Sequence, residues 1–154
     1  MKHELFLKTI FCCMTSDGEV AEDEINFIKS ITNESNLVPN LNVQILIEQY
    51  VREFNSSPKD FLLNYLSELQ NSNLKKTDEL KVIELAIKTI ESDNIIKYSE
   101  IKFFKLVRSN LSLTDEDILK VYPDIEEFLL PDAKRFDFSK IENVRLRKID
   151  LGFK

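Results

Sequence analysis

Two acidic pairs at matching spacing carry most of the chemistry in this chain. Asp17 and Glu24 lie seven residues apart, and the same pair returns as Asp93 and Glu100. A carboxylate at a turn and another in the first turn of the following helix can face each other. Such carboxylates are hard oxygen donors suited to Ca²⁺, Mg²⁺ or Mn²⁺. Glu19, Glu22 and Asp23 add further acids to the first copy. The same pattern has a plainer use, in which Glu24 and Glu100 complete helix caps while the other acids favour the positive end of a helix. Both readings stay open on the sequence, because two carboxylates alone bind a cation weakly.

Composition removes much other chemistry. His3 is the single histidine, which excludes histidine-based zinc sites and catalytic triads, and Gly18 and Gly152 are too few and too far apart for a phosphate-binding loop. Neighbouring residues on a helix point about 100° apart, so Cys12 and Cys13 cannot form a strain-free disulfide. They read as reduced thiols, at least one of them a small core residue, in a cytoplasmic chain. A reactive or metalloid-binding thiol pair is the competing reading. A metal-dependent hydrolase using the acidic residues is the enzymatic alternative, although no apolar pocket or partner that would tune a carboxylate is evident. The expectation is that the protein is not an enzyme.

The elements that must position these residues are helical. Apolar residues recur at helical spacing almost throughout, as in Phe6, Ile10, Cys13 and Met14, or Ile25, Ile28 and Ile31. Two Gly and four Pro in 154 residues are too few for a turn-rich β architecture. Ser57-Pro58 predicts a capped helix start before Phe61 to Leu69, Thr77 the next, and Thr114 with Asp117 another. Leu80, Ile83, Ala86, Ile87 and Ile90 form one stripe on a helix over 78–91. Pro123 interrupts the pattern and restarts it as a short helix through Phe128 to Leu130. The reading is an all-α domain of seven or eight helices over 1–130, followed by a partly extended arm over 131–154.

At an offset of 76, residues 16–31 match 92–107 at six of sixteen positions, where unrelated segments would share about one. Val20/Ile96, Ile28/Phe104 and Ile31/Val107 are also like for like. Each copy reads as an apolar helix ending at Ser-Asp, a left-handed turn at Gly18 or Asn94, and a second helix. The expectation is a domain of two duplicated halves.

These residues resemble the tellurite-resistance TerB family and the wider TerB-like superfamily, which includes the amino-terminal region of the DjlA membrane co-chaperone. The pattern is an apolar helix, then Ala/Ser-Asp-Gly, one residue, Val/Ile, and a Glu seven positions after the Asp. Ser16-Asp17-Gly18, Val20 and Glu24 match it fully. The second copy keeps Ser92, Asp93, Ile96 and Glu100 but has Asn94 in place of Gly. The resemblance covers about residues 3–130 and implies an all-helical domain, with a divalent cation at Asp17 and Glu24 and, less completely matched, at Asp93 and Glu100. It implies a cytoplasmic accessory protein that joins a stress-response or defence assembly through protein contacts.

Charge is unevenly placed. Residues 1–130 carry 14 basic and 23 acidic groups, net −9, whereas 131–154 carry 7 and 4, net +3. The acidic body disfavours phosphate backbones, leaving the basic arm as the sole route to nucleic acid. In that arm Lys134, Arg135, Arg145, Arg147 and Lys148 alternate with Phe136, Phe138 and other apolar residues. The set reads either as an arm packed over its own domain or as a docking element for a protein partner, with Lys134, Arg135, Phe136, Phe138, Arg145 and Arg147 as its contacts. Glu4 and Lys8 spoil the signal-peptide pattern around Leu5 to Met14, and no apolar run nears the roughly 18 residues of a membrane span.

Overall fold

The computed structural model describes residues 2–16, 18, 20, 22–34, 42–92, 98–125, 136–142, 144–149 and 151. Among these are seven α-helices and no strand: α1 (Lys2–Thr15), α2 (Glu22–Glu34), α3 (Val43–Ser56), α4 (Pro58–Gln70), α5 (Lys76–Glu91), α6 (Tyr98–Ser109) and α7 (Asp115–Val121). Two 3₁₀ turns follow, at Pro123–Ile125 and Phe138–Ile141. The all-helical architecture agrees with the period of the sequence. No helix among the described residues is long and apolar enough to cross a membrane.

Helix starts show local chemistry, with two departures from expectation. Thr114 accepts from the Asp117 amide at 3.1 Å while Asp117 accepts from the Thr114 amide at 3.2 Å, the reciprocal cap that its spacing predicts. Ser57, by contrast, makes no side-chain cap. Its backbone does the work: its N–H donates to Glu53 and its C=O accepts from Phe61, so one residue closes α3 and opens α4. α5 starts at Lys76, ahead of Thr77, and again has no side-chain cap. The helix expected through Phe128 to Leu130 lies outside the described residues.

Helix α1 is the hub. Leu5, Phe6, Leu7, Ile10, Phe11, Cys12, Cys13 and Met14 are all buried, more than one face can hold, so neighbours must surround the helix. It packs chiefly on α5 and also on α3, α4 and α6. Phe11 meets Phe61 at 5.4 Å and Tyr50 at 5.6 Å between ring centroids, joining α1, α3 and α4. Polar contacts set the α1–α4 register: Lys8 pairs with Glu68 at 2.8 Å, and the Thr9 and Tyr65 hydroxyls share a buried hydrogen bond of 2.6 Å. At the other end of α5 the buried Glu79 carboxylate accepts from the Ser112 amide and hydroxyl, tying down the loop before α7.

The arm folds back over this body. Phe136 is buried, 5.4 Å from Phe103 and 4.9 Å from Phe138, and Ile141, Ile149 and Leu151 are buried as well. These four apolar side chains of the arm therefore sit in the core of their own domain. Their cationic neighbours Arg145, Arg147 and Lys148 remain exposed.

Candidate functional site

The acidic turn begins where α1 runs out. Ser16 Oγ donates back to the Cys13 carbonyl at 2.9 Å, and Gly18 N–H donates to Thr15 C=O at 2.9 Å with a φ of +84°. That is the left-handed turn read from Ser-Asp-Gly. After α5, Ser92 Oγ donates to the Thr89 carbonyl at 2.6 Å, the counterpart of the Ser16 bond at the sequence offset of 76. Asn94 lies outside the described residues. Gly18 is required on two grounds. A side chain would be strained at this φ, and a Cβ here would stand 3.0 Å from Val144 Cγ2 of the arm.

Glu24 and Glu100 each occupy the third position of their helix, in α2 and α6, and both are buried, at 4% and 3% exposure. They also share a neighbour. The Cys13 thiol is pushed far above its usual range, first by burial and then by the Glu100 and Glu24 carboxylates. The two glutamates, 76 residues apart in sequence, thus act on one buried point at the end of α1. Cys12 is raised likewise, by burial and then by Cys13. Both thiols are buried and stay protonated at neutral pH, so neither is an activated nucleophile.

For a cation, Glu24 and Glu100 are suitable oxygen donors, but a shell of two falls short of the six to eight that Ca²⁺ takes. Among the described residues no group of three or more His, Cys, Asp or Glu side chains is placed to hold a metal. Asp17 and Asp93, the other acids expected to bind it, lie outside the described residues.

The basic arm reaches this turn. The arm is extended at Leu146, as its hydrogen bonds require: the Leu146 N–H donates to Asn55 Oδ1 at 2.7 Å, and its C=O accepts from Asn55 Nδ2 at 3.0 Å. A residue offers both groups to one partner only when extended. Gln44 instead bridges two residues of the arm, accepting from Leu151 N–H at 2.9 Å and donating to Ile149 C=O at 3.0 Å. Two side-chain amides on α3 thereby hold the arm antiparallel to the helix, with Val144 against Gly18. Nothing in the spacing of Gln44 and Asn55 signals this role, because both sit inside an ordinary helical stretch.

Grooves flank the arm on both sides. One of about 340 Å³ lies against α3, among Glu48, Val51, Arg52 and Asn55. The other, about 540 Å³, lies between Arg145, Leu146, Arg147, Lys148 and Ile149 on the arm and Gly18, Val20, Glu22 and Ile25 at the turn. The acidic turn and the basic arm, read from the sequence as separate features, are walls of one groove. Of the six arm residues expected to contact a partner, Arg145 and Arg147 are exposed at this wall, Phe136 is buried, and Phe138 is half-buried in the fold. Lys134 and Arg135 lie outside the described residues.

No protein-family model, curated protein or solved structure matches this chain.

Proposed function

We propose that this chain is a TerB-like cytoplasmic accessory protein that acts by recruiting a protein partner rather than by turnover, within a stress-response or defence assembly. The observation that carries this reading is the pair of exposed guanidinium groups, Arg145 and Arg147, on an arm that Asn55 fixes beside the Gly18 turn. A pre-ordered cationic strip loses little conformational freedom on binding, which is how rigid interfaces gain affinity. The buried carboxylates Glu24 and Glu100 line neither flanking groove, so neither groove gives a substrate access to them.

The test is the double substitution Arg145→Glu/Arg147→Glu in the tagged full chain. Both residues are exposed, so circular dichroism and Tm are expected to stay near wild type while specific co-purifying partners are lost. An unchanged partner set would refute recruitment through this face.

A divalent cation at the acidic turn is the second reading, favoured by the burial of two carboxylates, Glu24 and Glu100, at the matching third position of α2 and α6. Ca²⁺ or Mn²⁺ is then expected to raise the Tm of wild type more than that of Asp17→Asn/Glu24→Gln, since a ligand bound only by the folded state stabilises it. Equal shifts would dismiss the metal.

A further inference from the structure

The extended segment that carries Arg145 and Arg147 is paired along one edge only. In an extended chain the N–H and C=O of one residue leave on one side and those of the next leave on the other. Leu146 commits both groups to Asn55 on α3. Across the trans peptides on either side of Leu146, the Arg145 C=O and the Arg147 N–H therefore turn away from α3, and the groove walled by Gly18, Val20, Glu22 and Ile25 runs along this part of the arm. Among the described residues no hydrogen-bond partner meets those backbone groups. The hydrogen bond made at this point runs from Arg145 Nη1 to the Val144 carbonyl, at 2.8 Å.

The edge also has a defined end. Ile149 and Leu151 face Gln44 with the parity opposite to that of Leu146, so the alternation slips by one residue at Arg147-Lys148. Burial slips at the same place: Arg147 and Lys148 are both exposed, between half-buried Leu146 and buried Ile149. A bulge of this kind terminates strand pairing. The open edge is thus short, with Arg145 and Arg147 as its two outward residues.

We propose that this edge accepts an extended acidic segment of a partner protein as an added strand, with carboxylates at alternate positions. The inference rests on the recruitment reading and names the chemistry of its partner. Backbone groups of the arm would pair with backbone groups of the segment, the general mode of strand addition. Arg145 and Arg147, two residues apart, project on one face and meet carboxylates spaced i and i+2. The residue between those carboxylates turns to the other face, where Leu146, Val20 and Ile25 give it apolar contact. The described lining of the groove carries three cations, Arg145, Arg147 and Lys148, against the one acid Glu22. Pairing with the arm of a second copy would set arginine against arginine, a destabilising cross-strand match.

Four labelled decapeptides test this on the full chain by fluorescence anisotropy: alternating Glu-Val, the same peptide N-methylated at every second amide in each of the two possible phases, and alternating Lys-Val. The Glu-Val peptide is expected to bind and to slow hydrogen exchange at the Arg145 and Arg147 amides. N-methylation in the phase that faces the arm is expected to weaken it at least tenfold, and Arg145→Glu/Arg147→Glu to shift the preference to Lys-Val. Equal affinity for both N-methylated phases and the parent, or no binding by Glu-Val, would overturn the proposal. If the peptides fail while the same substitution still strips the chain of its cellular partners, strand addition falls and recruitment stands. Peptide binding that obeys these rules, in a chain whose partner set the substitution leaves unchanged, supports the edge and refutes recruitment through it.

Discussion

Replacing Asn55 with alanine isolates the force that orders the arm. Its amide makes two hydrogen bonds to Leu146, of 2.7 and 3.0 Å, in a half-buried setting. Each such bond contributes about 0.5 to 1.5 kcal/mol net, so their loss is expected to cost about 2 kcal/mol. Leu146 is not fully buried, and water can meet its freed groups, which keeps the cost from rising toward the penalty of a stranded polar pair. If the arm unfolds with the domain, Tm falls by about 4 to 8 °C for a chain of this size. Exchange at the Leu146 amide is more direct and should quicken about 30-fold, the population equivalent of about 2 kcal/mol. A large exchange effect with little change in Tm would mark the arm as a separately opening unit. Asn55→Asp should be at least as damaging as alanine, because the carboxylate keeps the acceptor but turns a second oxygen toward the Leu146 carbonyl. Unchanged exchange and a Tm shift below about 1 °C would refute the clamp, given the size expected for two lost bonds.

Four further outcomes follow from the same contacts. Gly18→Ala should destabilise by about 1 to 2 kcal/mol from its positive φ, and Val144→Ala should recover only the part due to the 3.0 Å contact; wild-type Tm in Gly18→Ala would contradict the turn. Removing 132–154 strips Phe136, Ile141, Ile149 and Leu151 from the core, at about 1.5 to 3 kcal/mol each, so the truncated chain should lose cooperative melting; an intact transition would show the arm to be dispensable. Cys12 and Cys13, buried and held protonated, should resist thiol reagents natively and react fully in denaturant, and rapid native labelling would reopen a thiol chemistry. The Thr114 amide and Lys76 hold Asp117 below the usual carboxylate range. A carboxyl depressed by folding stabilises above its unfolded value and loses that stabilisation as pH falls through the folded one, so Asp117→Asn should flatten the acid limb of the stability profile; an unchanged limb would contradict the cap.

Much of the helical framework was legible because its signals are local. The Thr114–Asp117 cap, the left-handed Gly18 and the apolar stripe of α5 each rest on residues a few positions apart, and each appears in the structure. Local signals also misled. Ser57-Pro58 has the composition of a side-chain cap, yet the serine backbone serves two helices at once and its hydroxyl caps neither. The composition of the arm left packing and docking both open, because counting cannot say whether a phenylalanine faces its own domain or another. That depended on Phe103, which Phe136 meets only after α6 is in place.

By itself the sequence determined an all-helical chain, a glycine turn after α1 and a matched pair of glutamates, because period, φ and capping chemistry act over a few residues. Tertiary structure alone decided that Glu24 and Glu100 are buried, that Asn55 and Gln44 grip the arm, and that Arg145 and Arg147 stand across a groove from the acidic turn. The physical reason is separation along the chain. Asn55 and Leu146 lie 91 residues apart, and a hydrogen bond between them leaves no local pattern at either end; it forms only once packing around α1 has brought α3 and the arm together.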